Sequence, residues 1–192
     1  PSDGTVTNAK LAQDIISGET ALTSEPASTD ELLVSDAGTL KRIDYSLISN
    51  TPAFCVKLSS DQSISGDTAT KVALDSEILD TDDNFASNRF TPTTAGKYYI
   101  EVGIGTGTGG ASSLIESTAW IYKNGAAYAK AYMNYYNNPA QLDFNTVSSI
   151  VDFDGSSDYV EAYGSVNGGT EVFNGDGSVI ETYMLGHKLI GV

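Results

Sequence analysis

The sequence predicts an all-β domain built from short antiparallel strands and preceded by a polar N-terminal segment. From residue 51 onward apolar residues recur at every second position, as in Phe54, Val56 and Leu58. This period of two residues indicates strands with one buried face. Turn-forming pairs such as Asn124-Gly125 and Asp154-Gly155 separate the runs, and both pairs adopt tight hairpin geometry at little cost. The pattern favours a sandwich or barrel of about ten antiparallel strands.

Charge and cysteine content exclude several classes of protein. The chain has 25 acidic and 10 basic residues, which gives a formal net charge of −15. Because no basic patch is present, we expect no binding to nucleic acid through its phosphates. No apolar run is long enough for a membrane-spanning helix, which predicts no membrane insertion. The lone Cys55 cannot form an internal disulfide, so stability is expected from packing or from oligomerisation.

A change in composition near residues 50–52 predicts two parts, a stalk or attachment segment at 1–50 and a head domain at 51–192. In the first part Asn8 is expected to cap a short helix that runs through Ile16. Residues Val34–Leu40 are expected to form a hairpin with Asp36–Gly38 as its turn. Isolated elements of this size are marginal in water, so we expect three copies to associate around one axis. A disordered leader is the alternative.

The head carries the features of a known family. Phe85 and Phe90 precede Gly96-Lys97-Tyr98-Tyr99-Ile100, and further matches occur at Ile121–Gly125 and Leu185–Ile190. This arrangement resembles the globular head of complement component one q and its relatives, a family that shares a trimeric jelly-roll fold with the tumour necrosis factor superfamily. The resemblance implies a jelly-roll sandwich, a homotrimer and a binding domain that is not an enzyme.

The first 50 residues have a resemblance of their own. Asp3–Ala12 and Thr29–Ile48 resemble segments of bacteriophage tail-fibre and related virion proteins, in which a receptor-binding head follows at the C-terminus. The resemblance implies a virion protein that joins other virion proteins through its N-terminal segment and binds a host surface glycan or protein. One alternative is a structural head fibre, or a capsid or tail decoration, without a host ligand. A polysaccharide-trimming enzyme is the third.

Strand order predicts which loops face away from the stalk. The last strand is predicted over Val179–Ile190, and counting antiparallel reversals backward from it places the loops at 106–113, 135–141 and 165–177 at one distal end. Long loops on a rigid scaffold commonly carry binding, and tyrosine offers a flat apolar face with a polar tip. The candidate ligand-binding residues are Tyr135, Tyr136, Asn137, Asn138, Phe173 and Asn174. The alternative is that one tyrosine packs inward and the asparagines form turns.

The sequence predicts no catalytic residues, no metal site and no cofactor. Gly105, Gly107 and Gly110 are followed by a predicted strand, whereas dinucleotide binding needs a helix there. His187 is the single histidine and lies in the last predicted strand, where a structural role is expected. Calcium is an alternative because it takes oxygen ligands, and two groups of side chains supply them: Asp80, Asp82, Asp83 and Asn84, and Asp152, Asp154 and Asp158.

Overall fold

The computed structural model of the chain describes residues 18–24, 26–27 and 29–191. The chain separates into two units, Pro1–Ser49 and Asn50–Val192. The helix that the sequence predicts over residues 8–16 lies outside the described residues. Within the described residues, no helix is long and apolar enough to cross a membrane.

The described part of the first unit is a β-hairpin. Strand β1 (Glu31–Asp36) pairs antiparallel with β2 (Thr39–Asp44), and a short 3₁₀ turn follows at Tyr45–Leu47. The turn uses a positive φ of 48° at Ala37 and 86° at Gly38, as two-residue hairpin loops require. The hairpin and its turn lie where the sequence predicts them.

The second unit consists of short strands arranged in two antiparallel sheets. Their bounds are β3 (Ala53–Lys57), β4 (Gln62–Ser63), β5 (Thr70–Lys71), β6 (Ser76–Asp80), β7 (Phe85–Ala86), β8 (Arg89–Phe90), β9 (Gly96–Gly107), β10 (Glu116–Lys123), β11 (Ala126–Asn134), β12 (Leu142–Phe153), β13 (Val160–Asn167), β14 (Val172–Phe173) and β15 (Tyr183–Lys188).

The two sheets pack face to face as a sandwich. The seven-stranded sheet runs in the order β4-β14-β9-β15-β3-β6, and β12 pairs with the other edge of β9. The six-stranded sheet runs β11-β10-β13-β8-β7, and β5 also pairs with β13. Strands that are neighbours in space are often distant in sequence, as β3 and β15 are, so the sandwich is a jelly roll and not a simple meander. The predicted all-β jelly-roll class is confirmed.

An aromatic cluster forms the centre of the core between the sheets. Phe90 is fully buried; its ring stacks on Phe54 at 3.9 Å between centroids and meets the edge of Phe153 at 6.0 Å. Tyr98 packs edge-on against Phe153 at 5.0 Å. These rings come from three strands of one sheet and one of the other, so the cluster joins the two layers. The alternating apolar residues of the sequence are the ones buried here.

One end of the sandwich collects the long loops, as the sequence predicts. Strands β9, β11 and β13 run toward this distal end, whereas the tight turns at Asn124-Gly125 and at residues 154–158 lie at the other. Strand β3, the first of the head, begins at that basal end, and β15 ends there. The Lys188 N–H donates to the Pro52 carbonyl at 3.0 Å. The distal loops therefore lie far from the point where the head joins the preceding unit's sequence.

The last strand is shorter than the sequence predicts. It covers Tyr183–Lys188, whereas the alternation predicts a strand over 179–190. The segment before it curls around the ammonium of Lys57, which donates to the carbonyls of Asp176, Gly177 and Val179 at 3.0, 3.0 and 3.1 Å. A backbone whose carbonyls converge on one point is curved and does not present them along a straight strand edge, so this segment is a loop.

Candidate functional site

Backbone hydrogen bonds tie the distal loops into one surface. The loop after β9 and the loop after β11 form a bridge, in which Leu114 and Ala140 exchange N–H to carbonyl bonds of 2.9 Å. The Tyr135 N–H donates to the Ile115 carbonyl at 2.7 Å, and the Ile115 N–H donates to Asn167 at 2.8 Å. Leu114 is fully buried beneath them. The loops are thus anchored at their bases, and a side chain at their tip is held by a rigid frame.

The turn at residues 135–138 forms the tip. The Asn138 N–H donates to the Tyr135 carbonyl at 2.9 Å, and the Tyr136 N–H donates to Oδ1 of Asn134 at 3.0 Å. Tyr136 leaves 71% of its surface exposed, and Asn137 and Asn138 are exposed beside it. We call Tyr136, Asn137 and Asn138 the distal turn. It offers one flat aromatic face and two amide side chains to solvent.

Tyr135 points inward, which is the alternative that the sequence leaves open for one of the two tyrosines. Its side chain packs against the core, and its hydroxyl donates to Oδ1 of Asp143 at 2.8 Å. The hydrogen bond to this carboxylate, together with burial, raises the pKa of the Tyr135 phenol. Tyr135 therefore supports the distal turn from below.

Asp143 belongs to a buried polar network that sequence reasoning did not find. Ser117 donates its hydroxyl to the Asp143 carboxylate, and the Asn145 amide donates to Ser117 Oγ at 2.5 Å and to Asp143 Oδ2 at 2.7 Å. Ser117 is fully buried and Asn145 nearly so. A satisfied buried network restricts side chains to one arrangement, which fixes Tyr135. The sequence does contain a signal for this network: Asn145 is a polar residue two positions before Val147, on the inward face of β12.

Phe173 and Asn174 lie apart from the distal turn. Phe173 is fully buried, so its ring is part of the core and is not available to a ligand on this chain's surface; the expectation of a contact role is wrong for this residue. Asn174 is partly buried, its N–H donates to the Gly105 carbonyl at 2.8 Å, and its carbonyl accepts from Thr182 Oγ1 at 2.6 Å. Both residues hold strand β14 in place.

The acidic side chains considered for calcium hold turns together. Asp154 Oδ1 accepts from the N–H groups of Ser156, Ser157 and Asp158 at 2.9, 2.9 and 3.0 Å. These bonds hold the pKa of Asp154 below its usual range. Asp80 Oδ2 likewise accepts from the Phe85 N–H at 2.7 Å. In the part of the chain that the structure describes, no group of three or more His, Cys, Asp or Glu side chains is placed to hold a metal ion.

The Gly-rich segment and His187 both lie in the sheets and have structural roles. The glycines at 105 and 107 lie within β9, and the next regular element is another strand, so the Gly-rich segment has no helix N-terminus to face a pyrophosphate. The His187 ring lies 5.8 Å from the Tyr99 ring on the outward face of the seven-stranded sheet. The His187 ring therefore packs against a tyrosine ring.

Comparison with known proteins identifies the fold. No protein-family model matches the chain, and no curated protein matches it. Among solved structures, murine APRIL is 9% identical with a TM-score of 0.52, covering 71% of this chain and 98% of its own. Eiger TNF from S. frugiperda is 9% identical with a TM-score of 0.53, covering 73% and 93%. The head has the jelly-roll fold that these two structures share.

A further similar structure is the globular domain of zebrafish complement 1qA protein. It is 12% identical, its TM-score is 0.49, and the match covers 74% of this chain and 98% of that domain. The matches to APRIL and Eiger, at 9% identity, show the fold of the head alone, and the ligands of all three proteins are not carried over to this chain.

Proposed function

We propose that the chain is a virion fibre protein whose trimeric head binds a host surface glycan or protein through the distal turn. The observation that carries the proposal is the exposed Tyr136 ring with Asn137 and Asn138 beside it, held on anchored loops at the end away from the start of the head. Tyrosine and asparagine are residues that adaptable contact surfaces favour. The fibre context is supported by the resemblance of residues 3–12 and 29–48 to phage fibre segments.

The outward face of the seven-stranded sheet supports the trimer. Residues of β12 on this face are exposed in the single chain: Leu142 at 62%, Phe144 at 50% and Ile150 at 45%. The Phe144 ring packs against Tyr183 at 6.2 Å, so the exposed apolar surface continues onto β15. Large apolar residues exposed together on one face are typical of an interaction site. Association of three copies through it would remove that surface from water.

A carboxylate on the same face already has hydrogen-bond donors within the chain. Glu101 accepts from the Tyr183 hydroxyl at 2.6 Å and from the Tyr99 hydroxyl. Burial and the bond to Glu101 raise the pKa of Tyr183, so both phenols remain protonated donors at neutral pH. Because its oxygens are satisfied within the chain, Glu101 can be covered by a neighbouring copy at less cost than an unpaired carboxylate.

Light scattering on the purified chain tests the trimer. We expect a mass near 60.6 kDa, which is three times the 20.2 kDa of one chain. A stable monomer at micromolar concentration would overturn the trimeric part of the proposal. It would leave the fold unchanged, because the fold rests on the single chain.

Binding of labelled protein to host cells tests the receptor function. Tyr136→Ala is expected to reduce attachment while the oligomeric mass and thermal unfolding stay unchanged, because the side chain is exposed. Val179→Ala is a matched control, since this residue is also an exposed apolar residue of a loop but lies outside the distal turn. Equal attachment of the two variants would remove the distal turn from the proposal. Attachment to the virion but to no cell would instead favour a structural fibre or decoration.

A further inference from the structure

The outer face of the six-stranded sheet carries a row of four large side chains. In the strand register Lys130 lies opposite Trp120, Trp120 opposite Tyr163, and Tyr163 opposite Lys71. Directly opposite residues of antiparallel strands share one face. The neighbours of Trp120 along its strand, Ala119 and Ile121, are fully buried, so the row faces away from the core. It crosses β11, β10, β13 and β5 with a cation at each end.

Tyr122 adds a third ring to the two aromatic rings of this row, and the three rings form a continuous surface. Tyr122 stacks on Tyr163 with centroids 3.9 Å apart and planes 17° apart. Trp120 meets Tyr122 edge-on at 6.5 Å. All three rings are partly exposed and stand on paired strands, which hold them more firmly than loops hold a side chain. We call Trp120, Tyr122 and Tyr163 the aromatic platform.

A cavity opens against the Trp120 end of the platform. Its volume is about 360 Å³, and it is lined by Trp120, Ala127, Tyr128, Ala129 and Lys130. This volume lies in the range of small-molecule sites, which starts at roughly 300 Å³. Ala127, which is exposed and lies opposite Tyr122 in the strand register, has too small a side chain to fill this space. The indole N–H has no hydrogen-bond partner among the described residues, so a ligand oxygen can accept from it.

The charges around the platform point to an anionic ligand. Lys71 and Arg89 share the carboxylate of Glu161 at 2.7 and 3.0 Å, and Lys123 pairs with Asp158 at 3.0 Å. Lys130, by contrast, is exposed and forms no ion pair within the part of the chain that the structure describes. In a chain of net charge −15, an unpaired cation at the mouth of an aromatic cavity is the group most suited to a carboxylate.

We propose that this cavity binds an acidic saccharide. The apolar face of a pyranose ring would stack on the Trp120 indole, as sugars stack on flat aromatic side chains, and its carboxylate would pair with the Lys130 ammonium. The ligand class is therefore a uronate-containing glycan. The site is separate from the distal turn and does not depend on that turn binding a receptor.

Trp120 is the single tryptophan of the chain, so its fluorescence reports directly on this cavity. The probe is a tetrasaccharide of alternating glucuronate and N-acetylglucosamine, compared with the same tetrasaccharide after reduction of its carboxylates to hydroxymethyl groups. We expect a saturable change in Trp fluorescence with both, and roughly two- to fivefold weaker binding of the reduced sugar, as an exposed ion pair would give.

Two variants that each remove one positive charge distinguish the ion pair at Lys130 from the effect of the net charge of the protein. Lys130→Gln is expected to bind both sugars equally weakly, whereas Lys188→Gln, which removes the same charge from the other sheet, is expected to keep the wild-type preference. Trp120→Ala, followed by calorimetry, is expected to lose binding of both sugars with an unchanged oligomeric mass.

Three results would overturn the proposal. The first is no fluorescence change at millimolar tetrasaccharide, and the second is equal affinity of the wild-type protein for the acidic and the reduced sugar. The third is a lower oligomeric mass for Trp120→Ala together with no sugar binding by the wild type, which would make this face a contact between copies. Loss of cell attachment by Tyr136→Ala bears only on the distal turn, so failure of one site is distinguishable from failure of the other.

Discussion

Replacing Phe144 by alanine is expected to weaken the trimer without unfolding the head. Phe144 lies on the outward face of β12 and keeps 50% of its surface exposed in the single chain. Full burial of a phenylalanine contributes roughly 1.5–3 kcal/mol, so covering the exposed half contributes about 1 kcal/mol per chain. A trimer covers three such rings. The variant should therefore weaken the free energy of trimer association by about 3 kcal/mol, which lowers the association constant roughly 100-fold.

The assay is the mass of the wild type and of Phe144→Ala across a dilution series, followed by light scattering or sedimentation. The variant should dissociate at higher concentration than the wild type, and its unfolding should stay close to the wild-type transition at concentrations where both are dissociated. Tyr136→Ala is the matched control, because it removes a more exposed aromatic side chain from the distal turn and should not change the mass. If both variants dissociate alike, or neither does, the outward face of this sheet is not the interface.

Three further predictions concern the stability of the head. Glu161 is 3% exposed and accepts from Lys71 and Arg89 at 2.7 and 3.0 Å. Glu161→Ala should therefore destabilise the head by about 1–3 kcal/mol, measured by denaturant unfolding. The loss should be smaller than that on breaking a fully buried ion pair, because both cations are partly exposed. Asp154→Asn should lower the melting temperature at neutral pH, and because the native pKa of Asp154 is depressed, the difference should shrink as the pH falls below about 4, the ordinary aspartate range. Gly186→Ala would place a Cβ 2.6 Å from the Tyr99 carbonyl oxygen and should cost about 1–3 kcal/mol, whereas Gly177→Ala, whose nearest neighbour is 3.8 Å away, should be close to neutral; equal effects would contradict the packing argument.

The sheet framework was predictable because it depends on local signals. Alternation of apolar residues is a direct consequence of the pleat, and it correctly indicated the buried faces of β3 and β9. Turn chemistry was equally local: Asn124 and Gly125 adopt φ values of 52° and 79°, as their sequence predicts. Both signals span a few residues and do not require knowledge of what packs against them.

The features that sequence reasoning missed depend on contacts between distant residues. Phe173 was expected in a contact loop, but the structure inserts its ring beside Gly164, where a Cβ would lie 2.7 Å from the ring. The space that glycine leaves on β13 is visible only once the two segments are known to meet. Lys57 gives no signal in the sequence, because the three carbonyls that it binds lie about 120 residues away in the chain. Neither contact leaves a periodic pattern.

The two outer faces of the head differ in the chemistry of the partner that each one suits. On the seven-stranded sheet the carboxylate of Glu101 is satisfied by two tyrosine hydroxyls, and Leu142 and Phe144 are exposed on the same face, which suits contact with another copy of the same chain. On the six-stranded sheet the rings lie next to Lys130, a cation left without a carboxylate among the described residues, which suits a small anionic ligand. If three copies associate through the first face, the second faces outward three times around the axis. A trimer with three such cavities would then bind a repeating polysaccharide with an avidity well above the affinity of one cavity for one sugar.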